Sequence, residues 1–386
     1  MFGPKASISG VGYTPLTRAS GKTPLQLAVE ASRAAAEDAG IELASIDGVV
    51  IYGLHDSTTA AAIATELRLL NPRWTVDLVG GGHAACAVIG HAAAAVTTGL
   101  ASSVLVVRAA NGRSGRRLGG VGEEVRAGGS SQYLANVGLL TYPQQMAMWA
   151  RRYIEQFNPA PEAYANIAVK SRANAIKNPR AIMRTPMTMD DYFASPMVAD
   201  PFRLFDICPE SDGALALLVT GGDRAADLRH VPVLIEYVEH GGLSRPGADL
   251  EDFLGLEDLS RNFAGPVARQ MYDRSGLSIN DFDLLEIYDC FTHTVLLTLE
   301  GIGVAPLGQA AEWVCEPDTM TLGGSMPVNT HGGLLSEGYL MGLSHVAEAV
   351  LQLRGQCGER QVPNAQRALV TAGAMMQGSL AALVKG

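Results

Sequence analysis

The sequence predicts a layered α/β protein with an internal duplication. Apolar segments such as IDGVVIYG (46–53) and SSVLVVRAA (102–110) have the length and composition of buried strands. They alternate with alanine-rich segments such as TPLQLAVEASRAAAEDAG (23–40), which are typical of amphipathic helices. This alternation favours sheets that are covered by helices on their faces.

The duplication is visible in two pairs of segments that occur in the same order. DAGIELASIDGVVIYG (38–53) and RSGLSINDFDLLEIYD (274–289) each contain a helix-ending glycine, an acidic connection and a strand that ends near a tyrosine. Further on, HAAAAV (91–96) and HVAEAV (345–350) each precede another apolar strand. We therefore predict an N-terminal half at 1–230, with a long loop insertion at about 110–200, and a C-terminal half at 231–386.

Composition narrows the class of function. The 386 residues carry a formal net charge of −10, which argues against nucleic acid or an anionic membrane as the main partner. The start of the chain does not resemble a signal peptide, and no apolar run reaches the ~18 residues of a membrane span. The five cysteines are scattered and contain no CxxC pair, so we expect a reduced cytoplasmic protein without a metal. Glycine motifs for a nucleotide cofactor are missing as well, and we expect no cofactor.

Three motifs together resemble one known superfamily. They are EIYDCFTHT (286–294), PVNTHGGLLSEGYLMG (327–342) and DPFRLFDICPESDGALALLV (200–219). In this order they resemble the thiolase superfamily, in particular the branch associated with sterol carrier proteins, and the likeness covers nearly the whole chain. The resemblance implies a duplicated five-layered αβαβα thiolase fold and a homodimer that associates through its core sheets.

The chain departs from thiolases at each catalytic position. Thiolases use a cysteine nucleophile, an activating histidine, a second cysteine that moves the α-proton and an Asn or His that holds the enolate oxygen. The corresponding positions here are Gly82, Tyr339, Ala372 and Tyr288. Cys86 follows the nucleophile position by four residues, so acyl transfer through an acyl-cysteine is not expected there.

The absence of both cysteines together with the two tyrosines resembles a subgroup of this superfamily, the lipid-transfer-type aldolases of bacterial steroid degradation. The resemblance implies retro-aldol cleavage of a β-hydroxyacyl-CoA, a 17-hydroxy steroid-20-carboxyl-CoA type of thioester, to a ketosteroid and a short acyl-CoA such as propionyl-CoA. It also implies a small partner protein with a zinc ribbon and an OB-type fold, in an α2β2 complex.

Tyr288 and Tyr339 are the candidate acid and base, in an order that the sequence leaves open. A phenol suits both proton transfers because its ordinary pKa of ~10 is closer to that of an alcohol than a carboxylate's is. The alternative is that both are core tyrosines without a catalytic role.

The neighbours of these tyrosines supply the remaining candidates for holding the substrate. Gly82, Gly332 and Gly333 are expected to allow close approach of backbone N–H donors to the thioester. His331 either donates to the thioester oxygen or stabilises the turn. Asp289 either supports the site from behind Tyr288 or is a buried structural carboxylate.

Arg113, Arg116 and Arg117 form a basic group in the insertion. They are candidates for binding the CoA phosphates or the partner protein, and a solvated loop is the alternative. His83 stands out only because it follows Gly82.

Two other functions remain open at this point. One is a thiolase or acyltransferase that uses another thiol, such as Cys86 or Cys290. The other is a non-catalytic subunit that binds acyl-CoA or lipid.

Overall fold

A nine-stranded mixed sheet forms the framework of the computed structural model, which describes residues 6–115, 117, 131–225, 228–243 and 258–386. The strands are β1 Ala6–Tyr13, β2 Gly48–Gly53, β3 Trp74–Val79, β4 Ser103–Asn111, β5 Met197–Ala199, β6 Phe202–Arg203, β7 Asp212–Gly221, β8 Val233–Gly242, β9 Leu284–Glu286, β10 Thr319–Met320, β11 Met326–Pro327, β12 Arg367–Ala372 and β13 Gln377–Lys385. The helices are α1 Pro24–Ala39, α2 Ala60–Glu66, α3 Ala84–Thr97, α4 Ser131–Asn136, α5 Tyr142–Phe157, α6 Glu162–Ile176, α7 Met189–Ala194, α8 Gly222–Ala225, α9 Ala264–Ser275, α10 Thr292–Gly301, α11 Ala310–Cys315, α12 Gly333–Ser336 and α13 Leu343–Arg354.

The sheet repeats one arrangement of strands. Its order is β3-β2-β4-β7-β1-β8-β13-β12-β9. In the first half β2 runs parallel to β4, and β7 and β1 follow with antiparallel pairing. In the second half β9 runs parallel to β12, and β13 and β8 follow with antiparallel pairing. The two sets meet where β1 pairs with β8 at Ser7↔Leu234. The division between residues 230 and 231 stays a prediction.

Alternating side chains on the strands separate the layers. Val49 and Ile51 of β2 pack with α1 and α2, whereas Val50, between them, packs with α3 and α13. On β12, Val370 faces that same central pair of helices, and Leu369 packs on the other side with α9 and α10. The layers are therefore helix, sheet, helix, sheet, helix, because successive residues of a strand point to opposite faces.

The predicted helix boundaries have identifiable causes. Gln26 N–H donates to Thr23 Oγ1 at 3.2 Å, and Thr23 N–H donates to Gln26 Oε1 at 2.9 Å, so a capping box begins α1. Gly40 ends α1 at φ 72° and Gly276 ends α9 at φ 75°, a left-handed conformation that glycine adopts without strain.

Within the insertion, YPQQMAMWARRYIEQF forms α5, Tyr142–Phe157. Its buried face includes Met146, Trp149 and Tyr153, which join the core of the C-terminal half. In the described part of the chain, none of the helices combines the length and the apolar character needed to cross a bilayer.

Candidate active site

A cavity of about 640 Å³ lies where the ends of β9 and α12 approach the start of α3. Most of its wall is apolar, with side chains such as Met146, Phe205, Leu335 and Met375. The phenols of Tyr288 and Tyr339 are among the polar groups that line it. A mostly apolar cavity with a few converging polar groups is the usual form of a small-molecule site.

The two predicted tyrosines are in direct contact. The hydroxyl oxygens of Tyr288 and Tyr339 lie 3.0 Å apart, which is a hydrogen bond in which either hydroxyl can be the donor. Tyr288 follows β9, and its N–H donates to Thr371 Oγ1 of β12 at 3.2 Å. Tyr339 follows α12, and its N–H donates to Ser211 Oγ at 2.9 Å. Backbone anchors from different elements thus bring the two side chains together.

Two glycines lie close to the ring of Tyr288. A Cβ on Gly82 would lie 2.1 Å from Tyr288 Oη, and a Cβ on Gly342 would lie 2.8 Å from Tyr288 Cδ2. Gly82, the predicted counterpart of the thiolase nucleophile, therefore leaves the space that the phenol fills. Contacts this short exclude any side chain at residue 82 while Tyr288 keeps this position.

Burial keeps both phenols protonated. It raises the pKa of Tyr288 well above 10, and the neighbouring phenol of Tyr339 adds to the effect. Burial likewise raises the pKa of Tyr339 well above 10. The electrostatic effect of the neighbouring Cys208 and Cys290 raises this pKa further. At neutral pH the pair is thus a source of protons inside an apolar cavity.

Asp289 is buried behind Tyr288 and does not line the cavity. Its Oδ1 accepts from Leu334 N–H at 2.7 Å, at the start of α12, and lies 3.1 Å from His345 Nε2. The His345 ring in turn lies 6.3 Å from the Tyr288 ring, centroid to centroid. This carboxylate thus anchors the start of α12, the helix that precedes Tyr339, and its part in holding the substrate stays a prediction.

His331 is likewise outside the cavity wall. Its Nδ1 lies 3.0 Å from Glu286 Oε2, and its Nε2 lies 3.6 Å from Glu337 Oε2. Burial alone lowers the pKa of His331, but attraction to Glu337 and Glu286 outweighs burial and raises this pKa to about 9. His331 is a buried cation between carboxylates, so the alternative of a turn-stabilising histidine fits its position and the donor to the thioester does not.

Gly332 and Gly333 allow close packing, because a side chain at either position would collide with a neighbouring residue. A Cβ on Gly332 would lie 2.4 Å from Ala175 Cβ, and a Cβ on Gly333 would lie 1.9 Å from Asp289 Oδ2. Both have positive φ, 102° and 63°. Neither of these two described residues lines the cavity, and their expected approach to the ligand stays a prediction.

Three buried side chains near Tyr288 lie close enough together to hold a metal ion by their distances alone. Among the described residues, Glu286, His331 and His345 place one ligand atom each within 4.8 Å of one another. The position of His331 between two carboxylates accounts for this grouping as an ion pair.

The thiols differ in their access to the cavity. Cys86 is fully buried in α3, away from the wall, and burial raises the pKa of its thiol. Cys290 lines the cavity, and burial raises its thiol pKa too. Neither environment favours the thiolate that nucleophilic attack requires.

Charged groups line another part of the same cavity. Arg113 and Arg117 belong to the wall, and Arg117 Nε forms an ion pair with Glu210. Arg116 lies outside the described residues. Sequence reasoning gave no role to Glu210 or Cys208, although both belong to the motif around 200–219. His83, noticed only for its position, also lines the cavity.

The layers and this cavity define a thiolase-type α/β protein whose cavity is lined by a hydrogen-bonded pair of phenols. Residues 249–385 match the thiolase C-terminal domain-like family. The fold also superposes on the human mitochondrial 3-ketoacyl-CoA thiolase in complex with CoA with a TM-score of 0.72, at 15% identity, over 99% of this chain and 98% of that one. The predicted five-layered thiolase fold is confirmed.

Relatives with higher identity specify the family. The chain is 36% identical over 388 residues to the 17-hydroxy-3-oxo-4-pregnene-20-carboxyl-CoA lyase of Mycobacterium tuberculosis, covering 97% of each. It is 37% identical over 377 residues to the steroid side-chain-cleaving aldolase of Thermomonospora curvata, covering 95% of each. A solved Ltp2-ChsH2(DUF35) aldolase superposes with a TM-score of 0.92 at 34% identity, over 99% of this chain and 98% of that one. The chain belongs to the thiolase-like family of steroid side-chain-cleaving aldolases and is a carbon–carbon lyase.

Proposed function

We propose that this enzyme cleaves the Cα–Cβ bond of a β-hydroxyacyl-CoA whose hydroxyl-bearing carbon lies in a steroid ring. The substrate is of the 17-hydroxy steroid-20-carboxyl-CoA type, and the products are a ketosteroid and a short acyl-CoA such as propionyl-CoA. The names of the lyase from Mycobacterium tuberculosis and the aldolase from Thermomonospora curvata support this substrate class. The apolar wall of the cavity supports it as well, since a fused-ring skeleton presents almost only carbon.

The phenol pair is the observation that carries the proposal. Retro-aldol cleavage needs no covalent intermediate: the β-hydroxyl loses its proton, the C–C bond breaks, and the electron pair collects as a thioester enolate that is protonated at Cα. The 3.0 Å contact lets Tyr288 and Tyr339 act together in proton transfer, because each hydroxyl is hydrogen bonded to the other. Gly82 removes the nucleophile and makes room for this pair.

The charged side of the cavity is proposed to hold the CoA part. Arg113 and Arg117 present guanidinium groups, whose planar donors suit phosphate oxygens. Glu210 is expected to orient Arg117 through their ion pair.

The proposed assembly is an α2β2 complex in the cytoplasm. Two copies of this chain would associate through their core sheets, each with a small zinc-ribbon and OB-fold partner of the DUF35 type. The solved Ltp2-ChsH2(DUF35) aldolase, which superposes on nearly the whole chain, supports such a partner. The bond cleavage itself is proposed to need no cofactor, and the zinc of the complex would belong to the partner.

Incubation of the purified complex with a 17-hydroxy steroid-20-carboxyl-CoA tests the proposal. Mass spectrometry should detect the ketosteroid and the short acyl-CoA in equal amounts, and neither product with the Y288F/Y339F variant. An acyl-enzyme adduct would instead support an acyltransferase. Tight binding without products, in every combination with the partner, would support a non-catalytic subunit.

A further inference from the structure

The proposed cleavage requires a group that accepts the proton of the β-hydroxyl. Both phenols of the pair begin the reaction protonated, since burial raises the pKa of each well above 10. A protonated phenol can donate to the enolate carbon but cannot be the first acceptor. The site therefore needs a second kind of group within the same cavity.

Most ionisable groups on the described wall are unsuitable as that acceptor. Arginines are permanently protonated, and Glu210 is engaged by Arg117. The thiols Cys208 and Cys290 hold their protons because burial raises the pKa of each. Among the carboxylates and imidazoles of the described wall, the usual proton acceptors at neutral pH, this leaves His83.

His83 lies on the wall of the cavity and is unprotonated at neutral pH. It adjoins Gly82, whose missing Cβ faces the hydroxyl of Tyr288, and its carbonyl is fixed by Ser379 Oγ at 2.5 Å. The imidazole stacks on that of His240, with centroids 6.0 Å apart and planes 3° from parallel. Burial lowers the pKa of His83 to about 4, with a contribution from His240, so the ring is neutral at pH 7.

We propose that His83 is the general base that takes the β-hydroxyl proton, an inference that rests on the proposed retro-aldol function. The O–H electron pair becomes the second bond of the ketone, and the Cα–Cβ pair becomes the thioester enolate. The Tyr288–Tyr339 pair then protonates Cα and becomes a phenolate. The His83 imidazolium returns its proton to this phenolate. One C–C bond is broken, no proton is gained or lost overall, and no oxidant is required.

His83→Asn tests this assignment against His91→Asn, a change of an exposed histidine on the same helix, α3. In the complex with partner and steroid-CoA, His83→Asn should lower kcat by ~10²–10⁴-fold, the usual contribution of a general base, with little change in KM or Tm. Added imidazole should restore part of kcat in His83→Asn but not in Y288F. His91→Asn should match the parent protein.

The outcomes separate the two proposals. A parent complex that releases no ketosteroid would overturn the proposed function, and His83 with it. A parent complex that cleaves the substrate while His83→Asn keeps the parental kcat would overturn only the assignment of His83. A loss of kcat that imidazole does not restore would also overturn it, since a purely structural histidine behaves in that way.

Discussion

Replacing Gly82 with alanine should displace Tyr288 from the site. The new Cβ would lie 2.1 Å from Tyr288 Oη and 2.2 Å from its Cζ. Movement of the ring is further restricted because the backbone of Gly342 is also close to it, with a Cβ on Gly342 falling 2.8 Å from Tyr288 Cδ2. The ring must leave its position or α3 must shift, and either change breaks the 3.0 Å hydrogen bond to Tyr339.

The expected effect is large on activity and moderate on stability. Overpacking of this kind typically costs about 1–3 kcal/mol, which urea denaturation would measure as a lower midpoint at unchanged slope. Loss of the phenol pair should lower kcat by ~10²–10⁴-fold in the steroid-CoA cleavage assay, the range for acid–base groups. Gly81→Ala is the matched control for stability, because its methyl group would meet Leu54 Cδ1 at 3.5 Å, an ordinary contact.

A double-mutant cycle then isolates the clash. In a Y288A background, Gly82→Ala should cost much less stability than it does in the parent, because the atoms it collides with are gone. Equal costs in the two backgrounds, or a Gly82→Ala enzyme with parental kcat, would refute the argument that residue 82 must lack a side chain.

Further expectations concern single groups of the site. Y288F and Y339F should each lower kcat by more than tenfold, and each should cost about 1–3 kcal/mol because one buried hydroxyl loses its partner; parental kcat in both would exclude the pair from catalysis. His331, with a folded pKa of about 9 against its usual 6.5, stabilises the fold fully below pH 6.5 and loses this contribution as pH rises through 9, a change of roughly 3 kcal/mol. Urea midpoints measured across this range should fall in the parent, and His331→Gln should remove the dependence. Iodoacetamide at neutral pH should leave activity intact, because burial keeps the Cys290 thiol protonated; rapid inactivation with a label on Cys290 would contradict this.

Local rules were sufficient for much of the fold. Gly40 and Gly276 end α1 and α9 as the repeated segments predict, because a left-handed C-terminal residue is a local requirement. The strand that ends near Tyr288 was visible for a similar reason, as buried strands have a characteristic apolar composition.

The positions of side chains around the turn at 331–333 were not accessible in this way. A histidine and two glycines beside a catalytic motif look like substrate-binding groups, yet their partners come from distant segments. Gly332 packs on Ala175 of α6, and His331 faces Glu286 of β9. Which face of a turn looks into a cavity depends on these long-range contacts, and the sequence of the turn does not contain them.

The geometry at Gly82 also constrains how acyl transfer and C–C cleavage are related on this fold. A cysteine at residue 82 and a phenol at residue 288 would occupy the same space, because even a Cβ at residue 82 falls within 2.1 Å of Tyr288 Oη. The nucleophile and the phenol pair therefore exclude each other, and neither chemistry can be added to the other by a single substitution. Introducing a thiol alone, as in Gly82→Cys, destroys the phenol pair without leaving room for an acyl group at the sulfur. An exchange of C–C cleavage for acyl transfer therefore needs two substitutions at once: a cysteine at residue 82 and a smaller residue at 288.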